Sequence, residues 1–298
     1  MIDKLITEMR NPASRDLDIM SVEEILKLMN EEDAKIPLAV RESLKDVEKA
    51  VNGIVRSLSK GGRVFYIGAG TSGRIGILDA VETVPTFGIP EGTFVGIIAG
   101  GMEAVYRAKE SEEDLLEKGK EDLRAHDPKP SDAVVGISAS GRTPYVIGAL
   151  KFAKEIGCFV VSVVNVPNPE MCDFSDVCIK VITGPEILTG STRLKAGTAQ
   201  KMILNMLSTV SMVKLGKVYQ NLMVDVKATN EKLVMRAVKI ISEALNISRE
   251  EAEELFKRSG GNAKTAIVMG ALGMEREEAE ELLRRAGGFV REAMEMGR

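Results

Sequence analysis

The sequence predicts an α/β fold, with a mostly parallel sheet between helices, a helical N-terminal arm and a small helical C-terminal module. Five short apolar runs lie between residues 63 and 182, and amphipathic stretches separate them. Because their apolar residues are continuous rather than alternating, we expect strands that are buried on both faces of the sheet. Strands that alternate with helices favour a doubly wound arrangement. The runs are VFYIG (64–68), TFVGIIAG (93–100), AVVGIS (133–138), FVVSVVN (159–165) and VCIKVI (177–182).

The segments before and after these runs carry helix signals. Ser21-Val-Glu-Glu24 is a capping box, in which a serine and a glutamate satisfy each other's backbone N–H groups at a helix start. A second helix is expected over 38–58 and a long one near 192–216. Residues 224–298 show only helical patterns, with another capping box at 248–251, and predict a module of three or four helices. The expected division is an arm at 1–58, a sheet domain at 59–222 and the module at 223–298.

Composition excludes several classes of partner. The net charge is −4, with acidic and basic residues interspersed, and aromatic residues make up only 4% of the chain. A nucleic-acid-binding protein needs a basic field for the phosphate backbone, or aromatic rings on which bases stack. We therefore expect no nucleic-acid partner, and any anionic ligand must be held by local loop geometry.

Cysteine and histidine usage bears on redox state and metals. There are three cysteines without a CxxC pair, and a single histidine, His126. We expect neither a disulfide scaffold nor a Cys/His zinc site, and we expect no metal and no cofactor. The N-terminus lacks an apolar signal segment, and no run of about 18 apolar residues occurs. These features favour a reducing cytoplasmic location without membrane contact.

The loop Gly68-Ala-Gly-Thr-Ser-Gly-Arg74 follows the first predicted strand and opens a helix. Its glycines allow close backbone approach, and a helix N-terminus offers free N–H groups to an anion. The loop also matches the G-x-G-x-x-G pattern of dinucleotide-binding proteins. That reading requires an acidic residue after the next strand, where this chain has Gly-Ile-Ile-Ala-Gly-Gly instead, so a nicotinamide cofactor is disfavoured.

Two further polar stretches share this design. Ser138-Ala-Ser-Gly-Arg-Thr143 follows the third predicted strand, and Pro144 suits the first turn of the next helix. The stretch 184–198 is rich in hydroxyl groups and cations and precedes the long helix. Ligands of open α/β sheets bind at the carboxyl ends of the strands, so the loops together indicate a phosphate or sugar site. Each loop by itself could equally be a turn followed by a helix cap.

Carboxylates are the remaining candidates for proton transfer, because His126 lies in a polar loop and is expected at the surface. Glu82 is expected at the end of the helix that the first glycine loop opens. Glu113 is expected on a charged helix after the second strand. The pattern alone selects neither, and the charge run at 109–122 is typical of a solvated helix face.

Four segments carry a resemblance over nearly the whole chain. The loops GAGTSGR and SASGRTPY resemble those of sugar isomerase (SIS) domains, which have a three-layer α/β/α fold. More narrowly, the chain resembles the N-acetylmuramic acid 6-phosphate etherase family. The segments are TEMRNPASRDLD (7–18), IGAGTSGRIGILDAVE (67–82), GPEILTGSTRLKAGTAQK (184–201) and GKVYQNLMVDVKATNEKL (216–233).

The resemblance implies a carbon–oxygen lyase that splits the C3 ether of N-acetylmuramic acid 6-phosphate into D-lactate and N-acetylglucosamine 6-phosphate. The expected course is elimination from the open-chain aldehyde, followed by addition of water. By resemblance, Glu82 protonates the departing lactyl oxygen and later activates water, and Glu113 removes the C2 proton. The family commonly has Ser-Glu-Cys-Pro-Pro around the first glutamate, whereas this chain has Val-Glu-Thr-Val-Pro at 81–85.

The resemblance also implies binding residues, a homodimer and two competing functions. A non-catalytic phosphosugar sensor, like the glucokinase regulatory protein, and a sugar-phosphate isomerase remain alternatives. Glu186 and Lys264 are carried over from relatives as hydroxyl and sugar-phosphate contacts. The expected substrate and phosphate contacts are Gly70, Thr71, Ser72, Ser138, Ser140, Gly141, Thr143, Glu186, Ser191 and Lys264.

Overall fold

A computed structural model describes residues 6–225 and 231–298 of the chain. Residues 1–5 of the predicted arm and 226–230 of the predicted C-terminal module, which also belong to the 216–233 resemblance, lie outside the described residues. The chain forms two compact units. The first comprises the described residues up to Val81 together with Gly92–Ser208, and the second comprises Glu82–Glu91 together with the described residues from Thr209 to Arg298.

The first unit contains a five-stranded sheet. Its strands are β1 (Val64–Gly68), β2 (Phe94–Ile98), β3 (Ala133–Ser138), β4 (Phe159–Val164) and β5 (Val177–Lys180). Their order is β2-β1-β3-β4-β5, and every neighbouring pair is parallel. The predicted α/β class is confirmed, and each apolar run contains its strand, which is at most two residues shorter than the run at either end.

Helices cover both faces of this sheet. On one face, Phe65, Val134 and Val160 form a buried cluster with side chains of α6 (Leu116–Arg124) and α7 (Pro144–Ile156). On the other face, α3 (Leu44–Ser59) packs on β1, β3, β4 and β5, and α4 (Gly70–Phe87) passes over Tyr66. This gives three layers, as the resemblance implied. The helices up to the second unit are α1 (Val22–Asp33), α2 (Ile36–Glu42), α3 (Leu44–Ser59), α4 (Gly70–Phe87), α5 (Glu103–Tyr106), α6 (Leu116–Arg124), α7 (Pro144–Ile156) and α8 (Lys195–Lys214).

The described part of the C-terminal segment is helical, but it holds five helices rather than three or four. They enclose their own apolar core, which includes Ile241, Ala266, Ile267 and Ala279. Short glycine- and serine-containing breaks divide the segment more finely than its amphipathic periodicity indicated. The helices are α9 (Glu231–Leu245), α10 (Arg249–Arg258), α11 (Ala263–Leu272), α12 (Arg276–Arg285) and α13 (Val290–Met296).

Local signals were accurate where a side chain closes a hydrogen bond with the backbone. Both predicted capping boxes are present, Ser21 with Glu24 and Ser248 with Glu251. The expected helix over 38–58 is instead two helices, α2 and α3, which meet at Ser43. None of the described helices is long and apolar enough to cross a membrane.

Three expectations need correction. Glu82 is not at the end of its helix, because α4 continues through Pro85 to Phe87. Glu113 lies in a short 3₁₀ turn, Glu110–Asp114, and the charged helix α6 begins only at Leu116. A disulfide joins Cys172 and Cys178, whose Cα atoms lie 5.3 Å apart across the turn before β5. The chain turns back on itself between the 3₁₀ turn Glu170–Phe174 and β5, which brings together two cysteines that sequence spacing alone did not pair.

Candidate active site

A cavity of 460 Å³ lies at the carboxyl ends of the strands in the first unit. Five segments line it, and three of them follow β1, β2 and β3, as expected for ligand sites of parallel α/β sheets. The fourth is the 3₁₀ turn Ile6–Glu8 of the N-terminal arm, and the fifth is the loop after β5 that contains Gly190 and Thr192. The polar side chains that line it are Thr7, Glu8, Thr71, Ser72, Arg74, Lys109, Glu113, Ser138, Ser140, Thr143 and Thr192, and Gly70 and Gly190 also line it.

The first glycine loop forms the turn from β1 into α4. Gly70 begins the helix with a φ of +52°, which L side chains rarely adopt. Ser72 lines the cavity, and its hydroxyl donates to Oε1 of Gln200 at 2.9 Å. Gln200 in turn donates to Oδ1 of Asn165 at 3.0 Å. Because the Ser72 proton is given to Gln200, this hydroxyl is left to accept a hydrogen bond from a ligand.

The second loop gathers three hydroxyl groups at the N-terminus of α7. Ser138 Oγ lies 2.8 Å from Thr143 Oγ1 and 3.3 Å from Ser140 Oγ, and it accepts the N–H of Gly141 at 3.1 Å. Gly141 has a φ of +64°, and a Cβ there would lie 2.3 Å from Cβ of Pro169. Thr143, the N-cap of α7, makes no side-chain cap bond. Hydroxyl donors beside an uncapped helix N-terminus can hold a phosphate group.

The third polar stretch serves two purposes. Glu186 is 1% exposed, and its carboxylate accepts the N–H groups of Lys195 and Ala196, each at 2.9 Å. It therefore caps the N-terminus of α8 and is not among the cavity-lining residues. Gly190 and Thr192 line the cavity, but Ser191 between them does not.

Charged groups of both signs meet in the cavity. The guanidinium of Arg74 donates to backbone oxygens of the α5 region, including that of Ala104 at 2.7 Å. Lys109 forms an ion pair with Glu103 at 2.6 Å. The ammonium of Lys109 holds the pKa of Glu103 below its ordinary value by hydrogen bonding. Glu113 lines the same cavity, on the 3₁₀ turn that follows.

The remaining predicted residues are not among those that line this cavity. Glu82 is an exposed residue of α4. Lys264 belongs to the second unit, where it is buried and pairs with Asp225 at 2.7 Å. Lys217 pairs with the same carboxylate at 2.9 Å. Burial lowers the pKa of Lys264, which the Asp225 carboxylate partly offsets. The structure thus gives Lys264 a buried partner of its own.

Comparison with known proteins bears on what this cavity binds. The chain is 51% identical over 269 residues to the N-acetylmuramic acid 6-phosphate etherase of Petrotoga mobilis, covering 90% of each chain. It is 52% identical over 268 residues to the etherase of Actinobacillus pleuropneumoniae, covering 90% of this chain and 88% of that one. The chain belongs to the N-acetylmuramic acid 6-phosphate etherase family.

Models of smaller regions agree with membership of this family. Residues 46–154 match the N-terminal SIS domain of glucokinase regulatory protein, and residues 125–210 match the SIS domain. Residues 220–264 match the C-terminal lid domain of glucokinase regulatory protein. A phosphoheptose isomerase from Francisella tularensis has a TM-score of 0.51 at 15% identity, covering 65% of this chain and all of that one. That likeness shows the shared fold.

The sequence did not single out several polar side chains that line the cavity of this etherase-family chain. Arg74 closes the first glycine loop, and Lys109 begins the charged run that was read as a solvated face. Thr7 and Glu8 lie in the segment 7–18, which carries the family resemblance but implied no role for either residue. No periodicity signals that an N-terminal turn lies beside loops that are more than 60 residues away. The only available signal was the unexplained polar pair Thr-Glu before an Arg-Asn-Pro turn.

Proposed function

We propose that the protein cleaves the C3 D-lactyl ether of N-acetylmuramic acid 6-phosphate, as a carbon–oxygen lyase. The observation that carries this proposal is identity above 50% to etherases over 90% of the chain. The polar cavity supports it, since its loops place hydroxyl groups, backbone N–H groups and a carboxylate around a space of 460 Å³. A sugar phosphate fits that chemistry better than an apolar ligand does.

The phosphate group is assigned to the loop that precedes α7. Ser140 and Thr143 present hydroxyls there, and Ser138 holds both of them and the Gly141 N–H in place. The dipole of α7 adds partial positive charge at the same point. The first glycine loop contributes the N-terminus of α4, with Gly70, Thr71 and Ser72 along the cavity wall. Ser191, Glu186 and Lys264 stay predicted substrate contacts, although they are not among the residues that line this cavity.

The reaction needs one ionised carboxylate and one protonated carboxyl group. The C2 proton is acidified only by the neighbouring aldehyde, so a positioned base must remove it. The electrons form the C2=C3 bond as the C3–O bond breaks, and the lactyl oxygen must receive a proton to leave as lactate. Addition of water to C3, with return of a proton to C2, gives N-acetylglucosamine 6-phosphate.

Glu113 is proposed as the base and Glu82 as the acid. The position of Glu113 in the wall of the cavity supports its role. The role of Glu82 rests on resemblance to the family motif at 67–82.

A homodimer and a cytoplasmic location complete the proposal. The first unit exposes several large apolar side chains, which supports a contact with a second copy. They are Leu78, Val81, Met102 and Tyr106, the last 84% exposed. The expected division at residues 58 and 222 into arm, SIS domain and helical module also stays a proposal.

The test is release of D-lactate from N-acetylmuramic acid 6-phosphate, with EDTA present, by the wild type and by Glu82→Gln and Glu113→Gln. We expect lactate from the wild type and a loss of at least about 100-fold in each variant, the usual contribution of a positioned acid or base. Glu117→Gln, an exposed carboxyl on α6, serves as the matched control and should retain activity.

Exchange of the substrate C2 proton in D₂O separates the two roles. Glu82→Gln should still exchange that proton, because its base is intact, whereas Glu113→Gln should not. The opposite pattern would reverse the assignment. No lactate from the wild type, with tight binding of a hexose 6-phosphate, would move the protein to the sensor class. Isomerisation of a sugar phosphate without lactate release would favour the isomerase.

A further inference from the structure

The N-terminal arm forms one wall of the candidate active site. Asn11 Nδ2 donates to the backbone oxygen of Pro185 at 3.4 Å, and Ser14 Oγ donates to that of Ile187 at 2.7 Å. These bonds join segments that are more than 170 residues apart in sequence. They attach the arm to the stretch that supplies Gly190 and Thr192 to the cavity.

Glu8 stands at the point where the arm meets this stretch. Its Oε2 lies 3.0 Å from the position that a Cβ would take at Gly190, so the carboxylate rests against the loop backbone. Gly190 has a φ of +77°, which requires glycine there in any case. Within residues 6–225 and 231–298, no hydrogen bond or ion pair to the Glu8 carboxylate is found.

The neighbouring Thr7 supplies a second observation. It is 2% exposed and lines the same cavity, and its Oγ1 has no hydrogen-bond partner among the described residues. Buried hydroxyls in folded proteins are nearly always hydrogen-bonded, because an unmade bond is costly. Two adjacent polar side chains on the cavity wall thus have hydrogen-bonding capacity that residues 6–225 and 231–298 do not use.

We infer that Glu8 is a substrate-binding residue, whose carboxylate accepts a hydrogen bond from a neutral donor on the sugar. This inference rests on the proposed function, in that the ligand is a hexose 6-phosphate. The phosphate and the lactyl carboxylate are anions, which the Glu8 carboxylate repels. The groups on the sugar that it attracts are hydroxyls and the acetamido N–H.

The same charge gives Glu8 a part in specificity. The cavity holds hydroxyl and backbone donors at the α7 end, which favour an anion, and a carboxylate on the arm, which disfavours one. A substrate with its phosphate near Ser140 is thereby held in one orientation, with neutral donors toward the arm. Repulsion against the wrong orientation contributes to specificity as much as attraction in the right one.

The experiment compares Glu8→Ala and Glu8→Gln with the wild type in steady-state kinetics and in calorimetric binding of N-acetylglucosamine 6-phosphate. Glu8→Ala should raise KM and the binding Kd at least about tenfold, the loss expected for one hydrogen bond to a charged group. Glu8→Gln keeps an acceptor oxygen and should recover part of the affinity, with kcat close to that of the wild type. Asp16→Ala, an exposed carboxylate on the same arm, is the matched control and should leave KM and kcat unchanged.

A second ligand locates the donor. If Glu8 accepts the acetamido N–H, Glu8→Ala should weaken the binding of N-acetylglucosamine 6-phosphate. It should not weaken the binding of 2-deoxyglucose 6-phosphate, which lacks a donor at C2. Equal weakening of both ligands would support a hydroxyl elsewhere on the sugar. Unchanged Kd and KM in Glu8→Ala, at an unchanged melting temperature, would overturn the inference. So would a Glu8→Gln variant that loses kcat at constant KM, since that indicates proton transfer.

The calorimetric binding measurement also separates this inference from the proposed function. If the wild type releases no lactate, the proposed reaction fails, but the two hexose 6-phosphates still report on Glu8. If the wild type releases lactate and Glu8→Ala binds as tightly as the wild type, only the role of Glu8 fails.

Discussion

A buried ion pair between Glu32 and Lys195 should contribute strongly to the stability of the first unit. Lys195 Nζ lies 2.5 Å from Glu32 Oε2, and the two residues are 2% and 5% exposed. The pair joins α1 to the first residue of α8, directly after the stretch that lines the cavity. Removing one partner of a buried pair costs about 3–5 kcal/mol, because the other charge is left without compensation.

The two single variants should differ in a way that the structure determines. Glu32→Met leaves the Lys195 ammonium buried without a counterion, so we expect the full cost. Lys195→Met leaves Glu32 bonded to Lys35, whose side chain is 63% exposed, and so should cost less. The double variant should recover most of the stability, since an apolar pair of similar volume often replaces a buried ion pair at little cost. Lys35→Met, the exposed partner, should cost about 1 kcal/mol or less.

Differential scanning calorimetry measures these changes. For a domain of this size 1 kcal/mol corresponds to about 2–4 °C, so Glu32→Met should melt about 6–20 °C lower. A Glu32→Met variant that melts within about 2 °C of the wild type would refute the reasoning. So small a change would mean that the Lys195 ammonium is not buried away from water when its counterion is removed. A double variant that is as unstable as the sum of the two single ones would also refute the reasoning.

The pH dependence gives an independent check on the same pair. Burial of Glu32 opposes its ionisation, but hydrogen bonds from Lys195 and Lys35 outweigh that effect and hold its pKa below the ordinary value of 4.5. A carboxyl whose pKa is lowered on folding adds stability above its unfolded pKa and loses it as pH falls through the folded value. The difference between wild type and Glu32→Met should therefore be full at pH 7 and shrink as the pH falls below 4.5.

Three further predictions concern the site and the core beneath it. Ser138→Ala leaves the Gly141 N–H without its acceptor and should raise KM about tenfold in the lactate assay. An unchanged KM would exclude a role of Ser138 in the phosphate-binding loop before α7. Gly141→Ala should lower stability by about 1–2 kcal/mol from its left-handed backbone alone, and more from the contact with Pro169, as calorimetry would show; a stable variant would contradict this. Burial raises the pKa of Asp79, despite hydrogen bonds from Asn205 and Ser208, so its ionisation should reduce stability as pH rises above 3.8. Asp79→Asn should abolish that decline and melt no lower than the wild type at pH 7, which a lower melting temperature would disprove.

Much of the candidate site could be read from local sequence. Ser138, Ser140 and Thr143 were predicted as a group, because a strand, a hydroxyl-rich turn and a helix-starting proline follow one another within a few residues. Thr71 and Ser72 followed from the same local logic. The direction of the Ser72 proton could not be read in this way, since its acceptor Gln200 is 128 residues further along the chain.

Glu186 shows why a residue type at a family position does not define its contacts. It was expected as a contact to a substrate hydroxyl, and its carboxylate caps α8 by accepting two backbone N–H groups. A carboxylate before a helix can contact a ligand or cap the helix. Only the path of the chain after Gly184 decides which of these Glu186 does. Lys264 is similar, because its partner Asp225 lies 39 residues earlier.

The sequence by itself determined the α/β class, the five strands, the capped helices and the two loops that hold hydroxyl groups. These features depend on hydrophobic periodicity and on bonds between residues a few positions apart, which a linear pattern records. Tertiary structure alone decided that Thr7 and Glu8 line the cavity, that Glu32 pairs with Lys195, and that Glu113 stands in a turn beside the site. Those contacts join segments separated by tens to hundreds of residues, and such pairings depend on the packing of the whole sheet and its helices rather than on any local preference.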